Sequence, residues 1–223
     1  MAAPYSDTAP SATAKEQYAP ATARGRATRQ RLLDAAIAEF GDKGFHAASV
    51  SAITARAGIG QGTFYIYFGS KEACYAVAVE NVSRQLRRSL LRGFGHLQLA
   101  DCLRDSFRAY LEFCVGSPAA MRALDEAPFV DPAMWREHVA RLVRCYADLL
   151  DRHAAGPVRT DRDTHALAMV GALQAAAHAL LDNGTTDGTD LDGNAVRQSE
   201  ALATLMLHGL GGERLNPSDA LST

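Results

Sequence analysis

Seven residues within positions 60–71 carry side chains, or gaps, suited to reading a nucleic acid: Gly60, Gln61, Gly62, Thr63, Tyr65, Tyr67 and Lys71. A glutamine carboxamide pairs bidentately with adenine, and a threonine offers its methyl to thymine or its hydroxyl to a phosphate. Gly62 lets a partner approach the backbone closely. Tyr65 and Tyr67 can donate to phosphate oxygens; the competing reading makes them core aromatics. Lys71 brings positive charge to a helix start, where the helix dipole has the same sign. Thr28 and Ser49, placed at helix N-termini, can hold phosphates in the same way.

Three short helices must position these groups. The first starts with Thr28 as N-cap and presents Leu33, Ala36, Ile37 and Phe40 at three- and four-residue steps, one apolar stripe. Gly44 ends it and Phe45 tucks back. The second starts at the N-cap Ser49, with Val50, Ile53 and Ala57 inward. Gly58 supplies a tight turn of the kind that needs positive φ, and Ile59 plugs the core. The third runs from about Gln61 to Phe68 with Phe64 and Phe68 inward. Two tyrosines and Ile66 facing outward on so short a helix require a partner surface. Ser70 caps a long fourth helix, about Lys71 to Arg92, whose stripe is Tyr75, Val79, Val82, Leu86 and Leu90.

Charge and composition agree with a polyanion at one end. Residues 1–93 carry 12 Lys and Arg against 7 Asp and Glu, whereas residues 94–223 carry 11 against 18. The chain is 48% hydrophobic and 7% aromatic, enough for a sizeable, alanine-rich helical core. Residues 1–23 lack Leu, Ile, Val and Phe and read as a disordered arm. Cys74, Cys102, Cys114 and Cys145 form no CxxC pair, which argues against zinc. No run approaches the ~20 apolar residues of a membrane span and no signal pattern opens the chain, so a soluble cytoplasmic protein with free thiols is expected. GIGQG lacks the G-x-G-x-x-G spacing, DGTDLDGN fits no calcium loop, and HExxH and GxSxG are absent. No enzyme site and no cofactor is expected.

Beyond the fourth helix the pattern stays helical: about Asp101 to Val115, a short helix from Ser117-Pro118 to Glu126 broken by Pro128, Asp131-Pro132 to near Gly156, Asp163 to Asp182, and Asn194 to Leu210. The fifth carries Leu103, Phe107, Tyr110 and Cys114 on one stripe. The eighth, ALAMVGALQAAAHALL, is apolar or small nearly all round and should be buried on more than one side. The ninth carries Val196, Leu202, Leu205 and Met206. Residues 183–193 read as a loop and 213–223 as a tail.

The stretch from Ala27 to Cys74 resembles the DNA-binding domain of TetR/AcrR-type transcriptional regulators. The resemblance rests on Thr28, Leu32, Leu33, Ala36, Phe40, Gly44, Phe45, Ser49, Val50, Ile53, Ala57, Gly58, Ile59, Gly62, Thr63, Phe64, Tyr65, Tyr67, Phe68, Ser70, Lys71 and Glu72 at fixed spacing, over about residues 26–86. It implies an all-α fold: a helix-turn-helix domain over 24–71 and a helical ligand-binding and dimerisation domain over 72–212. It implies a palindromic double-stranded operator contacted by Thr28, Ser49, Gly60, Gln61, Gly62, Thr63, Tyr65, Tyr67 and Lys71, and a homodimer through the eighth and ninth helices. Its two recognition helices would sit roughly 34–36 Å apart. It also implies a small, largely apolar effector whose entry tilts the fourth helix. Gly60 stands where serine is frequent and Gln61 where lysine is frequent, so the operator sequence does not carry over.

Candidates for the effector pocket lie on the fifth to eighth helices: Phe107, Tyr110, Phe113, Met121, Phe129, Trp135, Tyr146 and Met169, with Gln174 and His178 standing out. These last two share a face of an apolar helix, where each needs a partner in a ligand, a neighbouring helix or a dimer mate. Two rival functions remain at this point: a redox sensor using the cysteines, and a helical carrier that binds no DNA.

Overall fold

The computed structural model describes residues 22–153, 161–184 and 191–211, and every regular element among them is helical. The chain divides into two compact units between Val79 and Glu80.

The first unit contains α1 (Ala23–Ala47), α2 (Val50–Ala57), α3 (Gln61–Tyr67) and the opening turns of α4 (Lys71–Arg92). α1 starts earlier than Thr28 because Thr22 offers the same capping oxygen sooner, accepting from the Gly25 amide at 3.0 Å. Thr28 therefore lies inside the helix and donates its hydroxyl to the Arg24 carbonyl at 3.0 Å. Gly44, at φ 80°, breaks the helix as expected, and one further turn follows before Ala48. Leu32, Ala36, Phe40, Phe45, Ile53, Phe64, Phe68 and Tyr75 close the core. Ile59 is only half-buried.

In the second unit α4 continues into a 3₁₀ turn (Gly93–Gly95), followed by α5 (Leu99–Gly116), α6 (Pro118–Asp125), α7 (Ala127–Val130), α8 (Pro132–His153), α9 (Arg162–Gly184) and α10 (Leu191–Gly211). Pro128 does not simply break a helix. It sits in the first turn of α7, where a missing N–H costs nothing. Position 156, the expected end of the seventh helix, lies outside the described residues, as do positions 1–21, 185–190 and 212–223.

The last two helices keep part of their apolar surface outward within the single chain. By length and composition, Arg162–Asp182 is apolar enough to cross a membrane. In the fold it acts as a core helix, packing on α5, α8 and α10 through Ala166, Met169, Val170, Leu173, Ala177 and Leu180. Its other face, with Leu167, Ala168, Gly171, Ala175 and Ala179, is exposed in the single chain. α10 turns Ala195, Ser199 and Ala203 inward, while Leu205 is 63% exposed. Small inward residues let α10 lie close along α5.

Candidate functional site

The α2–α3 pair is held by contacts that its sequence dictates locally. Ser49 Oγ accepts from the Ala52 amide at 3.1 Å and so caps α2. Gly58 adopts φ 63°, ψ 41°, the left-handed conformation that a side chain resists. This closes the turn, and the Ile59 amide reaches back to the Thr54 carbonyl at 2.9 Å. Arg31 donates to the Ala57 carbonyl. On the other side Arg56 bridges Asp42 at 2.7 Å and the buried Glu39 at 3.7 Å, tying α2 to α1.

α3 then has one buried and one presented face. Phe64 and Phe68 are 0% and 2% exposed. Tyr65 and Ile66 are 53% and 66% exposed, against the usual fate of large apolar groups. Gln61 and Gly62 share this outer surface, and Thr63 and Tyr67 are half-buried at its edges. A Cβ built at Gly60 or Gly62 would meet nothing within 4 Å. Internal packing therefore asks for glycine at neither position. Ser49 is exposed nearby in the sequence, on the first residue before α2. Ile66 joins the surface although no motif singled it out as a contact; its exposure is the signal.

Lys71 behaves differently from the expected phosphate ligand. Its Nζ donates to the Phe45 and Ala48 carbonyls at 2.7 and 2.9 Å and lies 3.4 Å from that of His46. The ammonium thus serves carbonyls left open where α1 kinks and ends, and its donors are engaged within the unit. Arg29 is drawn inward too: its guanidinium lies 5.3 Å from the centre of the Phe68 ring, and burial lowers its pKa.

In the second unit, five of the ten pocket candidates meet. Tyr110, Met121, Trp135, Gln174 and His178 line a cavity of about 10 Å³ with Leu124, Asp125, His138 and Ala177. That is room for about one water-sized probe. Phe107, Tyr146 and Met169 instead fill the core, and Phe113 is half-buried away from the cavity. Phe129 is 84% exposed on α7. The partner of His178 is a neighbouring helix: its Nε2 lies 2.9 Å from Asp125 Oδ1. His138, which no sequence motif singles out, is buried and lies 2.6 Å through Nδ1 from Ser83 Oγ on α4. A wider open groove of about 680 Å³ runs beside Trp135, Val139, Val143 and Leu167. Among the described residues no cluster of His, Cys, Asp or Glu could hold a metal ion.

Residues 32–78 match the family model described as bacterial regulatory proteins, tetR family. A solved TetR-like transcriptional regulator from Rhodococcus sp. RHA1 is 27% identical, with a TM-score of 0.67 over 83% of this chain and 97% of that one. Residues 32–78 thus carry a TetR-family DNA-binding domain, and the chain is similar in fold to TetR-like regulators. Curated relatives match over part of their length only. An uncharacterized HTH-type transcriptional regulator, YdgC of Bacillus subtilis, is 45% identical over 29% of this chain and 33% of its own. The HTH-type transcriptional regulator UidR of Escherichia coli K12 is 44% identical over 27% and 32%. The match thus spans about a third of the length of these curated relatives. A putative TetR-family regulator from Syntrophomonas wolfei, 16% identical with a TM-score of 0.67 over 86% of this chain and 98% of that one, shares the fold.

The family-model match falls within the first unit. The cavity belongs to the second, where likeness is carried by the fold.

Proposed function

We propose that the chain is a ligand-responsive, non-enzymatic transcriptional regulator of the cytoplasm, a repressor released from its operator by a small, largely apolar molecule. The observation that carries this reading is the outer face of α3. Gln61, Tyr65 and Ile66 stand exposed beside two glycines that nothing inside the protein requires. Gln61 and Thr63 read base edges, and Ser49, Tyr65 and Tyr67 hold phosphates. Gly60 and Gly62 admit the DNA backbone. Thr28 and Lys71 support the site from within.

The open faces of α9 and α10 support a homodimer that presents two recognition helices to one palindromic operator. Ala168, Gly171, Ala175 and Ala179 form a small-residue stripe against which a second copy can pack closely, and a Cβ at Gly171 would meet nothing within 4 Å. The effector site is the cavity lined by Tyr110, Met121, Trp135, Gln174 and His178. A coupling of about 1–3 kcal/mol between effector and operator suffices. A thiol sensor is less well supported, because Cys74, Cys102 and Cys114 are buried and burial pushes the Cys74 thiol up to about 12 and that of Cys114 higher still. Reactive thiols need the opposite.

A gel shift with the DNA upstream of the protein's own gene tests the reading. The regulator is expected to retard that duplex in preference to a scrambled one. A helical carrier would retard neither.

A further inference from the structure

His138 is 3% exposed, and its two ring nitrogens are unequally served. Nδ1 meets Ser83 Oγ at 2.6 Å, whereas Nε2 is buried with no partner among the described residues. The ring stacks on Trp135, centroids 5.4 Å apart and planes 30° from parallel, and both residues line the small cavity. Buried polar atoms without partners are rare, and each asks for an explanation. Burial, helped by the Arg141 and Arg87 cations, pushes the His138 pKa down to about 4. The ring is then neutral at pH 7 and carries one proton. With the Ser83 hydroxyl donating to Nδ1, the one ring proton sits on Nε2, as a donor with no acceptor among the described residues.

The rest of the lining narrows the chemistry of that acceptor. Met121, Leu124 and Trp135 supply apolar walls. Asp125 lines the same cavity, held 2.9 Å from His178, and its carboxylate repels a second one. An uncharged oxygen on a compact apolar body meets both demands, and its body must push the walls apart, since they now leave room for about one water-sized probe. Ser83 lies four positions beyond Val79, where the first unit ends, and on the same helix. A bond formed at Nε2 polarises the one at Nδ1, so α4 is the first element to register it.

We infer that the effector is a neutral carbonyl compound whose oxygen accepts from His138 Nε2, and that Ser83 passes its presence to α4. This rests on the effector-responsive reading above and names the ligand class and the residue that selects it.

Shape-matched pairs that differ only in the oxygen serve as probes: acetophenone with isopropenylbenzene, benzaldehyde with styrene, and cyclohexanone with methylenecyclohexane. In the full chain labelled with ¹⁵N-histidine, NMR is expected to find the His138 proton on Nε2. The carbonyl member of at least one pair should move that signal and bind up to about tenfold tighter than its carbon counterpart, the usual scale of one hydrogen bond. His138→Phe keeps a ring against Trp135 and should abolish the preference, and His138→Gln, which restores an N–H, should recover part of it. A proton on Nδ1, no response of the Nε2 signal to any pair, equal binding within every pair, or a preference that survives His138→Phe would each overturn the inference. Anisotropy of the upstream DNA duplex in the same samples separates the two claims. DNA binding without carbonyl preference overturns the inference alone, and carbonyl preference without DNA binding overturns the regulator reading alone.

Discussion

The Lys71 ammonium lies 2.7 Å from the Phe45 carbonyl oxygen and 4.4 Å from the centre of the same residue's ring. One side chain at the head of α4 thus satisfies the end of α1 through hydrogen bonds and a cation–π contact together. Replacing it by alanine leaves two part-buried carbonyls unserved. Lys71→Ala should lower the stability of the full chain by about 1–3 kcal/mol in urea unfolding. The dependence of DNA affinity on salt should keep its slope. An unchanged stability with a slope reduced by about 1 would make Lys71 a phosphate ligand after all.

Gly62 separates folding from binding in the opposite direction. Nothing lies within 4 Å of a Cβ placed there, so Gly62→Ala should leave the free protein as stable or up to about 1 kcal/mol more stable. Operator affinity should fall, because the methyl meets the DNA that the glycine admits. Melting curves and anisotropy titrations of the same preparation check both halves. Undiminished affinity would remove α3's first turn from the interface.

At Gly58 the strain is internal. An alanine there must hold φ near 63°, which costs about 1–2 kcal/mol. Its Cβ would also meet the Arg31 guanidinium at 3.3 Å. Gly58→Ala should therefore destabilise the first unit, read as faster hydrogen exchange in α2 and α3.

These local features were legible in the sequence because their causes are local. Ser49 caps its own helix, Gly58 answers a turn one residue long, and Phe64 and Phe68 share a face four residues apart. The carbonyl contacts of Lys71 are not legible in the sequence, because its acceptors lie 23–26 residues away. Thr28 was misplaced for a nearer reason: Thr22 competes for the same role, and residues 23–27 extend the helix to it. The pocket was half legible. A stripe of aromatics on α5 and α8 looks the same whether it lines a cavity or fills a core, and only packing separates Tyr110 from Phe107 and Tyr146. His138 gave no signal, since its partner Ser83 stands 55 residues earlier.

The depressed pKa of His138 has a consequence for stability. The folded chain releases this proton at about pH 4, the unfolded one near the ordinary 6.5. Between those values the unfolded state binds more protons, so stability rises with pH. The contribution, about 3 kcal/mol, is complete above pH 6.5 and fades as the solution is acidified toward 4. Burial is the main cause; Arg141 and Arg87 add to it and Glu80 opposes it. His138→Phe should flatten urea-unfolding stability across that window relative to wild type, and an unaltered pH profile would assign the acid sensitivity elsewhere.

The most direct measurement of the central claim is an anisotropy titration of wild type and Gln61→Ala against the upstream duplex and its single-base variants. If α3 reads bases, wild type prefers the natural duplex. Gln61→Ala then loses about 1–3 kcal/mol of discrimination at one position while its salt dependence stays the same. Equal affinity of wild type for natural and scrambled duplexes, or an intact base preference in Gln61→Ala, would contradict the account.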